Sequence, residues 1–164
     1  MTESAAICQY LAARHPEAGL DVASDEPAYG DYLNLLHFGE ATLTFPQTLV
    51  LRYSQFEPEA RRQPQVVEDY SRWFLSRLRT LEPRLETRHW LCAERFTAAD
   101  VSVGYALLLA TTLGLHDDPV WAALMRFLSK HWDSLRVIIA ADGTPAEEDL
   151  FGLEPMLGDF RLWL

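Results

Sequence analysis

Apolar residues recur at helical spacing along most of the chain, and the alternating pattern of a half-buried strand is almost absent. The first apolar stripe falls in residues 2–14 and predicts a helix that Thr2 or Glu3 opens. His15 and Pro16 follow it. Because the residue before a proline avoids helical backbone, the helix is expected to end there.

The next segments predict a linker and then a long, interrupted helix. Residues 16–27 are rich in Pro, Gly and acidic residues, which is typical of a linker. Asp25 followed by Pro27 predicts a helix start, with Asp25 as the capping acid. Apolar positions recur up to Pro46, which is expected to kink or break the helix. The periodic pattern then resumes to about Phe56.

A second amphipathic helix follows a polar break at residues 57–64. From Gln65 onward one apolar stripe indicates a helix of about six turns, with charged residues on its other faces. The stripe consists of Val66, Tyr70, Trp73, Phe74, Leu78, Leu81 and Leu85.

The segment from Thr97 to Asp100 has the spacing of a capping box in which Asp replaces the usual Glu or Gln. Thr97 is expected to accept a hydrogen bond from the Asp100 amide, and the Asp100 carboxylate one from the Thr97 amide. The run VSVGYALLLATTL that follows carries no charge. A helix that is apolar all round belongs at the centre of a bundle.

The C-terminal part predicts two shorter helices, from Pro119 to about His131 and from Asp133 to Ala141. Residues 143–164 begin acidic and end apolar, so this tail is expected to dock on the body of the protein. Together the pattern predicts an all-α bundle.

Composition excludes several classes of partner. The chain has 24 acidic and 14 basic residues, a formal net charge of -10. Such a chain is poorly suited to bind nucleic acid or anionic membranes. The two cysteines, Cys8 and Cys92, cannot make a disulfide framework or a four-ligand zinc site, and the five histidines lack ligand spacing. We therefore expect no metal and, with no signal-peptide pattern at the N-terminus, a cytoplasmic protein.

Two separated motifs resemble one family. They are ESAAICQYLA from Glu3 and WLCAERFTAADVS from Trp90. Together they resemble the bacterial cytosolic glutathione S-transferases. In that family an E-S-x-A-I-x-x-Y-L segment opens the last helix of a thioredoxin-like domain, and an F-T-x-A-D segment caps the core helix of an all-helical domain. The second motif departs from the family at Cys92 and Ala93, where a Gly two positions before the acid is common.

The resemblance implies a bundle of the transferase C-terminal type, with the N-terminal thioredoxin-like domain essentially missing. Residues 1–15 would be the last helix of that domain and residues 16–27 the linker. Residues 28–142 would be the C-terminal helical domain, and residues 143–164 a tail that packs on it. The family's catalytic Ser, Tyr or Cys lies in the missing domain, so no catalytic residue is assigned here.

The resemblance also implies binding residues for glutathione. Ser4 would hold the γ-glutamyl carboxylate through its hydroxyl and amide, Glu3 would meet the amino group, and Asn34 would make a polar contact. The predicted helix from residue 29 would wall the site of an apolar electrophile, with Tyr32, Leu36 and Phe38 as contact candidates. The residues taken alone favour a plainer interpretation, in which Glu3 and Ser4 open a helix and the apolar stripe is bundle core.

Two functions follow from these expectations. The first is a truncated glutathione S-transferase-like protein, and the resemblance implies that it forms a homodimer. By family it would conjugate glutathione to apolar electrophiles, but the chain alone is not expected to catalyse this reaction. The alternative is a non-catalytic interaction module of the same helical type, whose exposed apolar face binds a protein partner.

Overall fold

The computed structural model describes residues 1–115, apart from the side chains of residues 86, 111 and 112. Within that range helices are the only regular secondary structure, so the all-α prediction is confirmed for it. The predicted helices at 119–131 and 133–141, and the predicted docking of the tail 143–164, lie outside the described residues.

The described residues contain six α-helices, and helical turns of other types lie between some of them. The α-helices are α1 (Ser4–Arg14), α2 (Tyr29–His37), α3 (Phe45–Leu51), α4 (Pro64–Leu78), α5 (Glu82–Thr87) and α6 (Ala98–Thr112). Helical turns of the π type span Phe38–Thr44, called the π segment below, and Arg52–Phe56. Tighter 3-10 turns span Pro16–Ala18, Glu59–Arg61 and Arg79–Leu81.

The start of α2 differs from the prediction. Its first residue is Tyr29, its N-cap is Ala28, and no side chain caps it, so the expected cap by Asp25 is wrong. Glu26 organises this turn instead. Its carboxylate accepts a hydrogen bond from the Ala23 amide at 2.9 Å, and its carbonyl accepts one from the Tyr29 amide at 3.0 Å. The turn residues 24–28 therefore precede the helix rather than belonging to it.

Pro46 does not break the helical path from Tyr29 to Phe56, which we call the rod. The π segment ends just before Pro46, so the backbone hydrogen-bond pattern changes there from π to α. Pro46 therefore stands in the first turn of α3, where the N–H that proline lacks is not needed. The Thr44 hydroxyl donates to the Gly39 carbonyl at 2.9 Å, which satisfies one of the carbonyls in the π segment. The interruption predicted from Pro46 is therefore a change of helix type.

The rod packs closely along α6. A Cβ atom added to Gly39 would lie 2.4 Å from the Ser102 hydroxyl and 2.6 Å from the Ser102 carbonyl carbon, so only glycine fits this contact. The Ser102 hydroxyl donates to the Leu36 carbonyl at 2.7 Å. The fully buried Gln47 donates to the Ala106 carbonyl at 2.8 Å. Thus the rod and α6 each contribute a side chain that hydrogen-bonds to a backbone carbonyl of the other.

Most of the predicted stripe of the second amphipathic helix is confirmed. Phe74, Leu78 and Leu81 are buried in the core. Trp73 is 52% exposed, because it lies one residue before Phe74 and hence about 100° around the helix. The helix also ends sooner than predicted, since Arg79–Leu81 forms a 3-10 turn before α5.

The predicted linker is held against the start of α6. Val22 is 1% exposed, and the Ala98 amide donates to the Leu20 carbonyl at 2.9 Å. The Arg95 guanidinium donates to both carboxylate oxygens of Glu26, at 2.8 and 2.9 Å. The segment between α1 and α2 therefore has a defined position on the bundle.

The Gly39 contact predicts a large cost for one added methyl group. Gly39→Ala places its Cβ against Ser102 backbone atoms that cannot rotate away, so we expect it to lower the free energy of unfolding by about 1–3 kcal/mol. Gly30→Ala is the matched control, because a Cβ there meets nothing within 4 Å and Ala favours helix. Urea denaturation measures both. Equal stability of the two variants would contradict the close approach.

The Glu26–Arg95 ion pair predicts a specific pH dependence. The hydrogen bonds from Arg95 hold the pKa of Glu26 at about 2, below its unfolded value, so its contribution to stability is present near neutral pH. That contribution is lost as the pH falls toward 2. The stability difference between wild type and Glu26→Gln should therefore shrink on acidification, as measured by urea denaturation from pH 7 to 3. Arg95→Gln should show the same trend, and a constant difference would contradict the pair.

Candidate functional site

The N-terminus of α1 carries two of the residues predicted to bind glutathione. Glu3 is the N-cap, with extended backbone and no hydrogen bond from its side chain to the helix. Its carbonyl accepts the first helical bond, from the Ile7 amide at 2.9 Å. Amides of the first turn have no carbonyl partner inside a helix, and they favour an anion at this end. The Glu3 and Ser4 side chains are exposed beside them.

Glu40 of the π segment also reaches this helix start. Its Oε2 accepts a hydrogen bond from the Ala5 amide at 3.0 Å, across 35 residues of sequence. This contact was not predicted from the sequence, although an acid at helical spacing from Leu36, on an apolar stripe, was a signal for it. One first-turn amide is thus satisfied by the protein's own carboxylate.

The two cysteine thiols are held in their protonated form. Burial and, second, the charge of Glu40 raise the pKa of Cys8. Burial likewise raises the pKa of Cys92, whose sulfur lies 3.6 Å from the Thr97 hydroxyl. Because the thiolate is the nucleophilic form, neither environment activates a cysteine.

Asn34 lies elsewhere on the rod. It is exposed, and it shares a face of the helix with Phe38, four residues further on. Glu40, by contrast, accepts a hydrogen bond from the first turn of α1. The structure therefore brings Glu3, Ser4 and Glu40 together, and it places Asn34 on another face.

The predicted electrophile pocket does not form around its three candidates. Tyr32 and Leu36 are both 0% exposed and belong to the core, where burial also raises the pKa of Tyr32. The prediction is wrong for these residues, because a side chain without exposed surface cannot meet a ligand unless the core repacks. Phe38 is half-buried and lines an open groove instead.

This opening, the aromatic groove, lies between the rod and α4. It encloses about 410 Å³ and is lined by Phe38, Ala41, Thr42, Phe45, Pro46, Tyr70, Trp73 and Arg77. Glu40 is two residues from both Phe38 and Thr42, which is about half a turn of the π segment. The groove therefore opens on another side of the rod from Glu40, and the assignment of Phe38 as a contact for an apolar electrophile stays a prediction.

Asp100 and Thr97 fix the start of α6. The Thr97 amide and hydroxyl both donate to Asp100 Oδ2 at 2.9 Å, and the Leu91 amide donates to Oδ1 at 3.0 Å. The hydroxyl therefore donates to the carboxylate and does not accept from the Asp100 amide, which bonds the Thr97 carbonyl instead. Burial raises the pKa of Asp100, while these hydrogen bonds oppose the increase. The arrangement is structural.

The loop before this cap has unusual backbone. Ala93 and Glu94 have φ angles of 54° and 50°, in the left-handed region that favours glycine. This is the place where the second motif departs from the resembled family. A turn of this kind gives a physical reason for glycine there.

The described residues also bear on metal binding and on membrane insertion. In residues 1–115, no three His, Cys, Asp or Glu side chains converge as metal ligands would. Over the same stretch of chain, no helix combines the length and apolar character needed to cross a bilayer.

Comparison with known proteins places the fold. No family model and no curated protein sequence matches the chain. Several solved structures do. Ure2p5 from Phanerochaete chrysosporium, crystallised with 1-(S-glutathionyl)-2,4-dinitrobenzene, matches with a TM-score of 0.70 and 20% identity, over 90% of this chain and 72% of its own.

Two other matches are also transferases. The glutathione transferase URE2P6 from the same organism, in complex with oxidised glutathione, has a TM-score of 0.69 and 24% identity, over 83% of this chain and 61% of its own. A sphingomonad glutathione S-transferase complexed with glutathione has a TM-score of 0.66 and 22% identity, over 79% and 61%. The chain therefore has a fold similar to that of glutathione transferases.

The Glu40 contact predicts a local effect on α1. Glu40→Ala leaves the Ala5 amide without its acceptor, so we expect the free energy of unfolding to fall by about 1 kcal/mol. Amide hydrogen exchange at Ala5–Ile7 should accelerate more than exchange in α4. Glu40→Gln retains an oxygen acceptor and should lie closer to wild type. Unchanged exchange at α1 in the alanine variant would refute the capping role.

Proposed function

We propose that the chain is a member of the glutathione transferase family and contains part of a glutathione site. The observation that carries this proposal is the exposed Glu3–Ser4 start of α1, packed against a helical bundle whose fold is similar to that of transferases. The motif in the sequence and the fold likeness both support the proposal. Several of the matched structures hold glutathione or a glutathione conjugate.

In this proposal α1 binds the γ-glutamyl group of glutathione as a substrate. The Ser4 hydroxyl and amide hold its carboxylate, and the partial positive charge at the helix start favours that anion. Glu3 pairs with the amino group. Asn34 is exposed on another face of the rod, so it is left out of this proposed site. Residues 1–15 then belong to a thioredoxin-like domain, 16–27 to the linker, and 28–142 to the helical domain, with 143–164 as its tail.

Conjugation requires groups other than those described. The glutathione thiolate needs a hydrogen-bond donor near its sulfur, and the family supplies that donor from the thioredoxin-like domain. Cys8 and Cys92 have raised pKa values and supply no thiolate of their own. We therefore propose that the chain alone binds glutathione weakly and does not catalyse its conjugation. A complete cytoplasmic homodimer would conjugate glutathione to apolar electrophiles.

A non-catalytic interaction module is a second candidate, and one feature of α1 favours it. Tyr10 and Leu11 are 50% and 51% exposed on this helix. Adjacent exposed apolar side chains on one helix are suited to bind another protein surface. In this version the helix contacts a partner chain, and glutathione is not involved.

Titration with glutathione, followed by 15N NMR, tests the first proposal. Shifts should concentrate at Glu3–Ala6, and Ser4→Ala should weaken binding about tenfold by removing a hydrogen bond to a charged group. Ser76→Ala, exposed on α4, is the control and should leave binding unchanged. Turnover of glutathione with 1-chloro-2,4-dinitrobenzene should stay at the uncatalysed rate.

Three results would contradict the proposal. Absence of shifts at α1 would remove the glutathione site, and equal effects of the two serine variants would remove the role of Ser4. Turnover above background by the chain alone would show that the chemistry does not depend on a further domain.

A further inference from the structure

The C-terminal end of the rod carries three arginines around one buried carboxylate. Glu57 directly follows the π turn Arg52–Phe56, and it is only 9% exposed. The Arg52 Nε–H donates to Glu57 Oε1 at 2.9 Å, and the Arg61 Nε lies 3.1 Å from Oε2. Arg62 donates through its own Nε–H to the Glu57 backbone carbonyl at 3.2 Å. One glutamate thus holds three guanidinium groups close together, and we call them the arginine cluster.

The contacts with Glu57 use only part of each guanidinium group. Arg52 contacts it through Nε, and neither of the Arg52 terminal nitrogens has an acceptor among the described residues. Arg61 uses Nε and one terminal nitrogen, which lies 3.5 Å from Glu57 Oε1. The Arg52 and Arg61 side chains are 49% and 68% exposed. Oriented N–H donors of both arginines are therefore left open to solvent.

The charge of the cluster is positive, in a chain whose net charge is -10. Three guanidinium charges meet one carboxylate charge at Glu57, and the exposed Glu59 of the adjoining turn adds a second. Positive charge therefore remains uncompensated, and like charges held side by side repel one another. An anion bound at the exposed side would relieve this repulsion. Arginine forks match the oxygens of a phosphate group through paired N–H donors.

The openness of the cluster favours a phosphate that a larger molecule carries. Small ligands bind in concave sites that cover most of their surface, whereas residues 58–63 are all exposed. Anionic membranes and nucleic acids would bring many negative charges close to an acidic chain. A single phosphorylated side chain brings the matching charge to one point, and arginine clusters are suited to bind it.

We propose that the arginine cluster binds a phosphorylated serine or threonine side chain of a partner protein. The phosphate accepts hydrogen bonds from the terminal nitrogens of Arg52 and Arg61, while Glu57 keeps their Nε atoms in place. Arg62 adds positive charge beside them. Along the rod, α3 separates the cluster from Glu40, so this surface does not depend on the proposed glutathione site.

Three peptides that differ in one side chain test the proposal on the full chain. Each is a capped pentapeptide of glycine and alanine whose central residue is phosphoserine, glutamate or serine. 15N NMR follows the Nε–H signals of Arg52 and Arg61 directly. The phosphoserine peptide should shift both signals, and the serine peptide should leave them unchanged. The glutamate peptide, with less charge and fewer acceptor oxygens, should bind about tenfold more weakly than the phosphoserine peptide.

Matched variants separate the cluster from general charge and from folding defects. Arg61→Gln should weaken binding of the phosphoserine peptide about tenfold, because it removes a hydrogen bond between charged groups. Arg14→Gln, on α1, makes the same change in net charge outside the cluster and should bind like wild type. Arg61→Lys keeps the charge but lacks the planar fork that reaches Glu57 and the phosphate together, so it should also bind more weakly. The backbone amide signals establish that each variant is folded.

Four outcomes would overturn the proposal. Absence of shifts at Arg52 and Arg61 would remove the site. Glutamate peptide that binds as tightly as phosphoserine peptide would show that the cluster does not select phosphate. Equal losses in Arg61→Gln and Arg14→Gln would assign the effect to net charge. Binding to vesicles that contain phosphatidylinositol 4-phosphate, without a response to the phosphoserine peptide, would identify a membrane as the occupant instead.

Discussion

The close approach of the rod to α6 determines the arrangement of the described part of the chain. At Gly39 the two helices are so close that a single methyl group would overlap the Ser102 backbone. Side chains also cross this interface to reach backbone carbonyls, from Ser102 to Leu36 and from Gln47 to Ala106. Since these bonds fix rotation as well as distance, they determine which residues of the rod face each of its other neighbours.

Three neighbouring residues of the π segment face three different parts of the structure. Gly39 meets α6, Glu40 meets the start of α1, and Phe38 faces the aromatic groove. Turns of the π type are frequent at functional sites because they change the direction of neighbouring side chains. Here the change keeps the proposed glutathione site and the aromatic groove on separate sides of the rod.

Sequence patterns predicted the elements that local forces determine. The end of α1 at His15, the buried stripe of α4 and the apolar character of α6 follow from proline sterics and helical periodicity. They did not predict Glu40 as the cap of α1, because that hydrogen bond joins residues 35 positions apart. Tyr32 was misassigned for a related reason: periodicity shows that a residue is on the apolar face, but not whether that face opens to a ligand or closes in the core.

The attachment of the linker to the α6 entry has a consequence for the order of assembly. The bonds from Arg95 to Glu26 and to the Asp21 carbonyl close loops of 69 and 74 residues. By contrast, α3 and α4 are separated only by residues 52–63 and contact each other extensively. Loop-closure entropy favours short-range pairs early and distant ones late. We therefore expect an α3–α4 hairpin to form first, and α1 to be captured only after α6 has docked.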